Sequence, residues 1–247
     1  MANMSGLYKD KTFVLFSYKE RRRQIGLKLL SILCGKVILS GEIKDPGLNL
    51  RELEGYLRVG RTDRPAIERG KDNLSKLLNS GRVLLADEPY SVEDLADALT
   101  ALSGRCSLGA VFVDHIQKVK TRDKYPNRQA ELQRVSEQIM ETARSLGLPI
   151  IVGAQLERDP MHKEKVRLDD FREAGGIEQD ADLVLGLFNP AVEKAQDGGE
   201  PVKEPVVDLK VTVLKNRDGA VNESETLDFN RPLFTLSSKD GPPSTNP

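Results

Sequence analysis

Apolar positions along the chain fall into two alternating rhythms, short β-type runs and longer helical stripes, and that alternation predicts an α/β fold. Thr12 to Ser17 (TFVLFS) is a β-branched and aromatic run that reads as a buried strand. Ile25, Leu29, Leu30 and Leu33 then recur at helical spacing, so this strand passes into an amphipathic helix. Gly41 to Gly60 is weakly patterned and reads as a linker with a short helix around Leu50 to Leu57. Arg64 to Leu78 predicts a second helix with Ile67, Leu74, Leu77 and Leu78 on its apolar side, stopped by Gly81. Val83 to Ala86 is strand-like. Ser91 then caps a helix whose stripe is Leu95, Leu99 and Leu102, with acidic residues in its first turn.

The second half repeats the rhythm. Gly109 to Asp114 (GAVFVD) is an apolar strand ending in a carboxylate. Gln129 to Leu146 carries Leu132, Val135, Ile139, Ala143 and Leu146 on one helical face, with Gly147 as the stop. Pro149 to Gln155 is an apolar strand ending in a polar amide. Leu168 to Phe188 joins an acidic, glycine-broken loop to a short apolar run of buried-strand type, Leu183 to Phe188. Gly175-Gly176 lets that loop's backbone approach a ligand closely. Pro190 to Pro205 has the composition of a surface loop. Val206 to Leu214 alternates like a half-buried strand, followed by a D-G turn signal and strand-like runs at Thr226 to Phe229 and Leu233 to Leu236.

Composition narrows the possibilities. The 247 residues are long enough for a sizeable core, and the net charge of −1 excludes a global field of the kind that marks histone-like DNA binders. Any nucleic-acid contact must therefore come from local patches. One is Gln117 to Arg128 (QKVKTRDKYPNR), with five basic residues and one acidic. Taken alone it is an ordinary solvated charge run. The two cysteines build no disulfide framework and suit a reducing cytoplasm. His115 and His162 are far apart in sequence, with no Cys or His at zinc-ligand spacing. No apolar run approaches a membrane span.

The string DFREAGGIEQDADLVL is far more specific than any of these patterns. It resembles the D-L-R-E-S-G-S-I-E-Q-D-A-D segment of DnaB-type replicative helicases, ring-forming members of the RecA-like ATPase superfamily. L-F-S-Y-K-E-R-R-R-Q followed by L-K-L-L-S is similar to that family's strand-helix unit, and V-F-V-D-H-I-Q to its Walker B strand. The resemblance runs from Phe13 to Leu236. It implies a RecA-like, P-loop NTPase-type fold: a mostly parallel sheet flanked by helices over residues 12–237, between disordered ends at 1–11 and 238–247. It implies ATP and Mg²⁺ as cofactors, with Asp114 holding the metal through the nucleotide and Gln155 sensing the γ-phosphate. Lys215 and Arg217, in K-N-R-x-G, match the motif that reaches a neighbouring subunit's nucleotide. Single-stranded DNA contacts would fall on Lys118, Lys120, Arg122, Lys124 and Arg128 of the basic loop, and on Arg172, Glu173 and Gly175. The partners implied are single-stranded DNA and further copies of the chain in a ring, a hexamer, in the cytoplasm and away from any membrane.

Two departures shape the functional expectation. The family's water-activating glutamate falls on Lys19, with Glu20 one residue further on; in an extended strand that slip turns the side chain to the opposite face. No G-x-x-x-x-G-K-[ST] occurs in the sequence, and eleven residues precede Thr12, too few for a strand, phosphate loop and helix. The resemblance places that absent strand between those matched by Ile150–Gln155 and Leu183–Phe188. The expectation is thus a DnaB-like helicase domain whose ATPase motor is incomplete in cis and needs a partner chain carrying the phosphate loop. The alternative is a catalytically inactive DNA-binding or regulatory module. With the strand gone, the two flanking strands are expected to close on each other, ahead of strand donation by another chain.

Overall fold

The computed structural model describes residues 8–35, 37–39, 42–45, 48–156, 166–168, 170, 176–196 and 200–239. Its first sheet is parallel throughout. Strands β1 (Thr12–Ser17), β4 (Val83–Ala86), β5 (Leu108–Asp114) and β6 (Ile150–Val152) lie in the order β4-β1-β5-β6. Parallel neighbours need crossovers, and the helices supply them. Helices α1 (Arg22–Leu33), α2 (Leu50–Arg58) and α3 (Pro65–Asn79) connect β1 to β4. Then α4 (Val92–Ser103) leads to β5, and α5 (Arg128–Leu146) leads to β6. Every strand and helix expected in this half is present.

The main core lies between β1, β5, α4 and α5. Val14, Phe16, Val92, Leu95, Leu99, Val111, Val113, Val135 and Ile139 are all buried there. Each such side chain contributes about 1.5–3 kcal/mol relative to exposure, which is why the helical stripes predicted these faces well. Ser91 caps α4 by accepting from the Asp94 N–H, and Asp94 reaches back to the Ser91 N–H. Gly147 closes α5 in the left-handed conformation, φ 57°. A second cluster packs α1, α2 and α3 through Leu30, Cys34, Leu53 and Ile67. The apolar side expected for α3 holds at Ile67 and Leu77, but Leu78 is exposed. The linker reading of 41–60 also needs correction: β2 (Val37–Leu39) and β3 (Glu42–Asp45) form a small antiparallel hairpin before α2.

The remaining strands form a separate, antiparallel sheet in the order β10-β9-β8-β7. They are β7 (Leu183–Phe188), β8 (Val206–Asn216), β9 (Ser224–Asn230) and β10 (Thr235–Ser238). Ser238 therefore belongs to a strand rather than to a tail, while 240–247 and 1–7 lie outside the described residues. Tyr8 to Lys11 form a turn, and the Lys11 ammonium donates to Ser107 Oγ at 2.8 Å. One-turn helix α6 (Ile177–Asp180) precedes β7, and Ile177 packs against the main core. The 190–205 stretch is not all loop: α7 (Pro190–Gln196) begins it. Asn189 caps α7 by accepting from the Ala191 and Val192 N–H groups, with Pro190 in the first turn. An Asn-Pro pair signals turn and helix start equally, so composition could not separate them.

Closure of β6 onto β7 does not occur. Among the described residues β6 pairs with β5 alone and β7 with β8 alone, so each ends its sheet with an unpaired edge. The Leu183 run is also not buried: Leu183, Leu185 and Leu187 are 52, 47 and 57 % exposed, and Ile151 on β6 is 47 % exposed. An apolar run reports hydrophobicity, whereas burial requires a covering layer. An open apolar edge of this kind is a ready template for a further strand.

Candidate functional site

The carboxyl edge of the first sheet gathers the candidate residues from three strands. Ser17 ends β1 opposite Asp114 in the β1–β5 register, and the Tyr18 N–H donates to the Asp114 carbonyl at 2.9 Å. The Asp114 side chain is exposed at this edge. Beside it the chain leaves β6 through Gly153, whose N–H donates to the Val113 carbonyl at 2.9 Å and whose carbonyl accepts from the Ile116 N–H at 3.0 Å. A Cβ on Gly153 would lie 3.6 Å from Asp114 Oδ1, so the two segments are in close approach. Asp114 and Gln155 thus meet on one rim, as a parallel sheet places the ends of its strands.

Gln155 lies beyond the three-residue strand β6 rather than within it, and its backbone is held from the side. Gln117 Nε2 donates to the Gln155 carbonyl at 2.7 Å, and the Gln155 N–H donates to Gln117 Oε1 at 3.1 Å. In the sequence Gln117 had only the H-I-Q match to mark it, with no sign of this contact 38 residues away. His115 is buried (7 % exposed), with Nδ1 3.8 Å from Asp114 Oδ1. Burial holds its pKa below the usual 6.5, the Asp114 charge opposes this, and Lys19 and Lys118 push it further down. Among the described residues no cluster of three or more His, Cys, Asp or Glu is disposed to hold a metal.

β1 ends at Ser17, before Lys19 and Glu20, so the alternating-face argument does not govern those two residues. They lie in a bend in which Ser17 Oγ donates to the Glu20 carbonyl at 2.9 Å and accepts from the Glu20 N–H at 3.2 Å. Lys19 is exposed. The Glu20 carboxylate forms an ion pair with Lys28 on α1, whose ammonium also lies 5.5 Å from the Phe234 ring centre.

The basic loop divides into two kinds of cation. Arg122 is engaged by α4: its guanidinium reaches Asp94 at 2.5 Å and Asp97 at 2.9 Å, while its N–H donates to Glu93 at 3.0 Å. Arg128, at the first turn of α5, pairs with Glu131 and donates to the carbonyls of Gln117 at 2.8 Å and Val119 at 3.0 Å. Lys120 also meets Glu131, at 3.2 Å. Lys118 and Lys124 are exposed. Arg172, Glu173 and Gly175 lie outside the described residues. Lys215 and Arg217, at the end of β8, lie against the chain's own acidic turn. Lys215 Nζ donates to the carbonyls of Glu178 at 2.6 Å and Gln179 at 3.0 Å, and Arg217 pairs with Asp182 at 2.5 Å.

The family model of the DnaB-like helicase C terminal domain matches residues 2–236. The chain is similar to the replicative DNA helicase DnaB of Helicobacter pylori (strain ATCC 700392 / 26695), 28 % identical over 236 residues, covering 92 % of this chain and 42 % of that protein. It is also similar to a probable plasmid replicative DNA helicase of Chlamydia psittaci, 28 % identical over 176 residues, covering 70 % of this chain and 37 % of the other. This chain therefore spans less than half the length of these curated relatives. An ATPase domain of known structure superposes with a TM-score of 0.76 at 19 % identity, covering 96 % of this chain and 77 % of that one. A DnaB-like replicative helicase solved with a view to its interactions with primase gives 0.74 at 20 % identity, covering 96 % and 52 %. At these identities the superpositions establish a shared fold.

Proposed function

Because the chain belongs to the family of DnaB-like helicase C terminal domains, we propose that it is the single-stranded-DNA-binding part of a replicative helicase motor, with its phosphate loop supplied by a partner chain. The observation that carries this reading is the joint placement of Asp114 and Gln155 on one rim of a sheet that, among the described residues, ends in the unpaired edge of β6. Asp114 fits a Mg²⁺ ion held through a nucleotide, since such an ion takes one or two carboxylates and draws its remaining ligands from phosphates and water. When bound, Mg-ATP would supply the phosphoryl group whose transfer drives the motor. The chain's own contribution is the Asp114 carboxylate, the Gln155 amide fixed by Gln117, and the cations of the basic loop. Of those cations, Lys118 and Lys124 are exposed candidates for phosphate contact, whereas Lys120, Arg122 and Arg128 also serve the fold; the resemblance adds Arg172 as a candidate. Assembly into a ring in the cytoplasm, with Lys215 and Arg217 facing a neighbour, completes the reading.

A second reading, a non-catalytic DNA-binding or regulatory module, is favoured by one pair of observations. Lys19 stands where the family's glutamate falls, and Glu20 is paired with Lys28. The two readings separate in steady-state ATPase assays with Mg²⁺ and single-stranded DNA. The motor reading expects no turnover by the chain alone, and turnover on adding a polypeptide that carries a phosphate loop, abolished by Asp114→Ala. No turnover in any combination, with single-stranded DNA binding retained, selects the module. Absence of DNA binding even at low salt removes both.

A further inference from the structure

Both cations of the K-N-R segment are engaged within their own chain, and by the same short element. The Lys215 ammonium donates to two carbonyls at the carboxyl end of α6, those of Glu178 and Gln179, where a helix leaves its acceptors unpaired. Arg217 grips the following Asp182 twice, guanidinium to carboxylate at 2.5 Å and N–H to carbonyl at 2.9 Å. The β7–β8 ladder sets this up by placing Leu183 opposite Asn216 and Val184 opposite Lys215. On its other side α6 rests on α5: Ile177 packs on the core, and a Cβ on Gly176 would lie 3.9 Å from Gln133 Cγ. Arg172, Glu173 and Gly175 lie immediately upstream in the sequence.

We propose that Lys215 and Arg217 are a cis latch on the 177–182 turn, and that they engage the polyphosphate of a neighbouring chain only by releasing it. The inference rests on the reading that these cations meet a neighbour's nucleotide. Its physical basis is competition for donors. The Arg217 guanidinium and the Lys215 ammonium are held by a carboxylate and two carbonyls, and a phosphate accepts the same charge-assisted bonds. Switching acceptors takes away the side-chain contacts that tie α6 and Asp182 to the end of β8, leaving only the Arg217 N–H on the Asp182 carbonyl. The 177–182 turn then changes position with the state of the neighbour's site. In the separate chain the latch keeps the two cations from binding stray anions.

Amide hydrogen exchange on the full, ligand-free chain tests the latch. The Gln179 and Asp180 N–H groups are bonded to the Gly176 carbonyl, and the Ala181 N–H to that of Ile177. Arg217→Ala and Lys215→Met are each expected to speed exchange of these three amides by about threefold to fivefold, with Arg217→Lys in between. Unchanged exchange in both overturns the latch. Should either variant fail to fold, Asp182→Asn opens the same contact from its exposed side and is expected to give the same acceleration. The release step is tested by titration with inorganic tripolyphosphate. Asp182→Asn should bind it about tenfold more tightly than the unaltered chain, while Asp218→Asn, which removes an equal charge from the adjacent turn, should not. Equal affinities for Asp182→Asn and the unaltered chain overturn the release step. Neither measurement uses DNA or ATP turnover, so failure of the motor reading shows separately, as no ATPase on complementation with the latch intact.

Discussion

Gln117 and Gln155, 38 residues apart, are joined by a reciprocal pair of hydrogen bonds, side-chain amide to main chain, at 2.7 and 3.1 Å. The contact fixes the chain just after β6 relative to the short 3₁₀ turn that follows Asp114 (Ile116–Lys118). Gln117→Ala is expected to cost about 1 kcal/mol of stability, because the site is open to water and solvent partly replaces the bonds. Urea denaturation measures the loss, and amide exchange at Gln155 should rise more than exchange in β5.

Arg122 and Asp94 tie the basic loop to α4. The Ser91 hydroxyl and then the Arg122 guanidinium hold the Asp94 carboxyl down at about 2, against an ordinary 3.8. A carboxyl lowered on folding adds stability that is full above its unfolded value and is lost as pH falls from 3.8 toward 2. Arg122→Ala should bring Asp94 part of the way back to 3.8, Ser91 still holding it, and shift acid unfolding to higher pH. Carboxyl NMR titration checks the first outcome. In DNA titrations this variant should lose less affinity than Lys118→Ala with Lys124→Ala.

His115 titrates in the opposite chemical sense with the same sign. Burial lowers its folded pKa below 6.5, so the unfolded chain binds the proton more readily. The resulting stability is present above pH 6.5 and is lost as pH falls from there through the folded value. Thermal unfolding between about pH 7.5 and 5.5 should show a falling Tm, and His115→Gln should flatten that slope.

Gly70 on α3 faces α1 at a distance no side chain fits. A Cβ there would lie 2.4 Å from Cys34 Sγ and 3.1 Å from Leu30 Cδ1. Gly70→Ala is expected to cost about 1–3 kcal/mol by overpacking the helix pair. Gly26, within α1, has nothing within 4 Å of the same position, and Gly26→Ala should instead stabilise by up to about 1 kcal/mol. Paired urea curves decide both.

Much of this molecule was legible from residue order, because the relevant physics is local. Hydrophobic period set the helices and the parallel strands: α5 runs Arg128–Leu146 against an expected start at Gln129, and β1 is Thr12–Ser17 as read. Ser91 and Gly147 marked helix ends because capping involves residues three or four apart. The D-F-R-E-A-G-G-I-E-Q-D-A-D string identified the family, since a long match of specific residues does not depend on knowing their contacts. Tertiary structure decided what depends on distant partners. It alone paired Glu20 with Lys28, drew Arg122 onto α4 and turned Lys215 and Arg217 toward 177–182. It also left β6 and β7 apart, where the resemblance, with the strand between them absent, had suggested that they close. An apolar run fixes only the tendency to avoid water. Which strand meets it, or whether any does, depends on how the intervening chain can bring two edges into register, and that is a property of the whole fold.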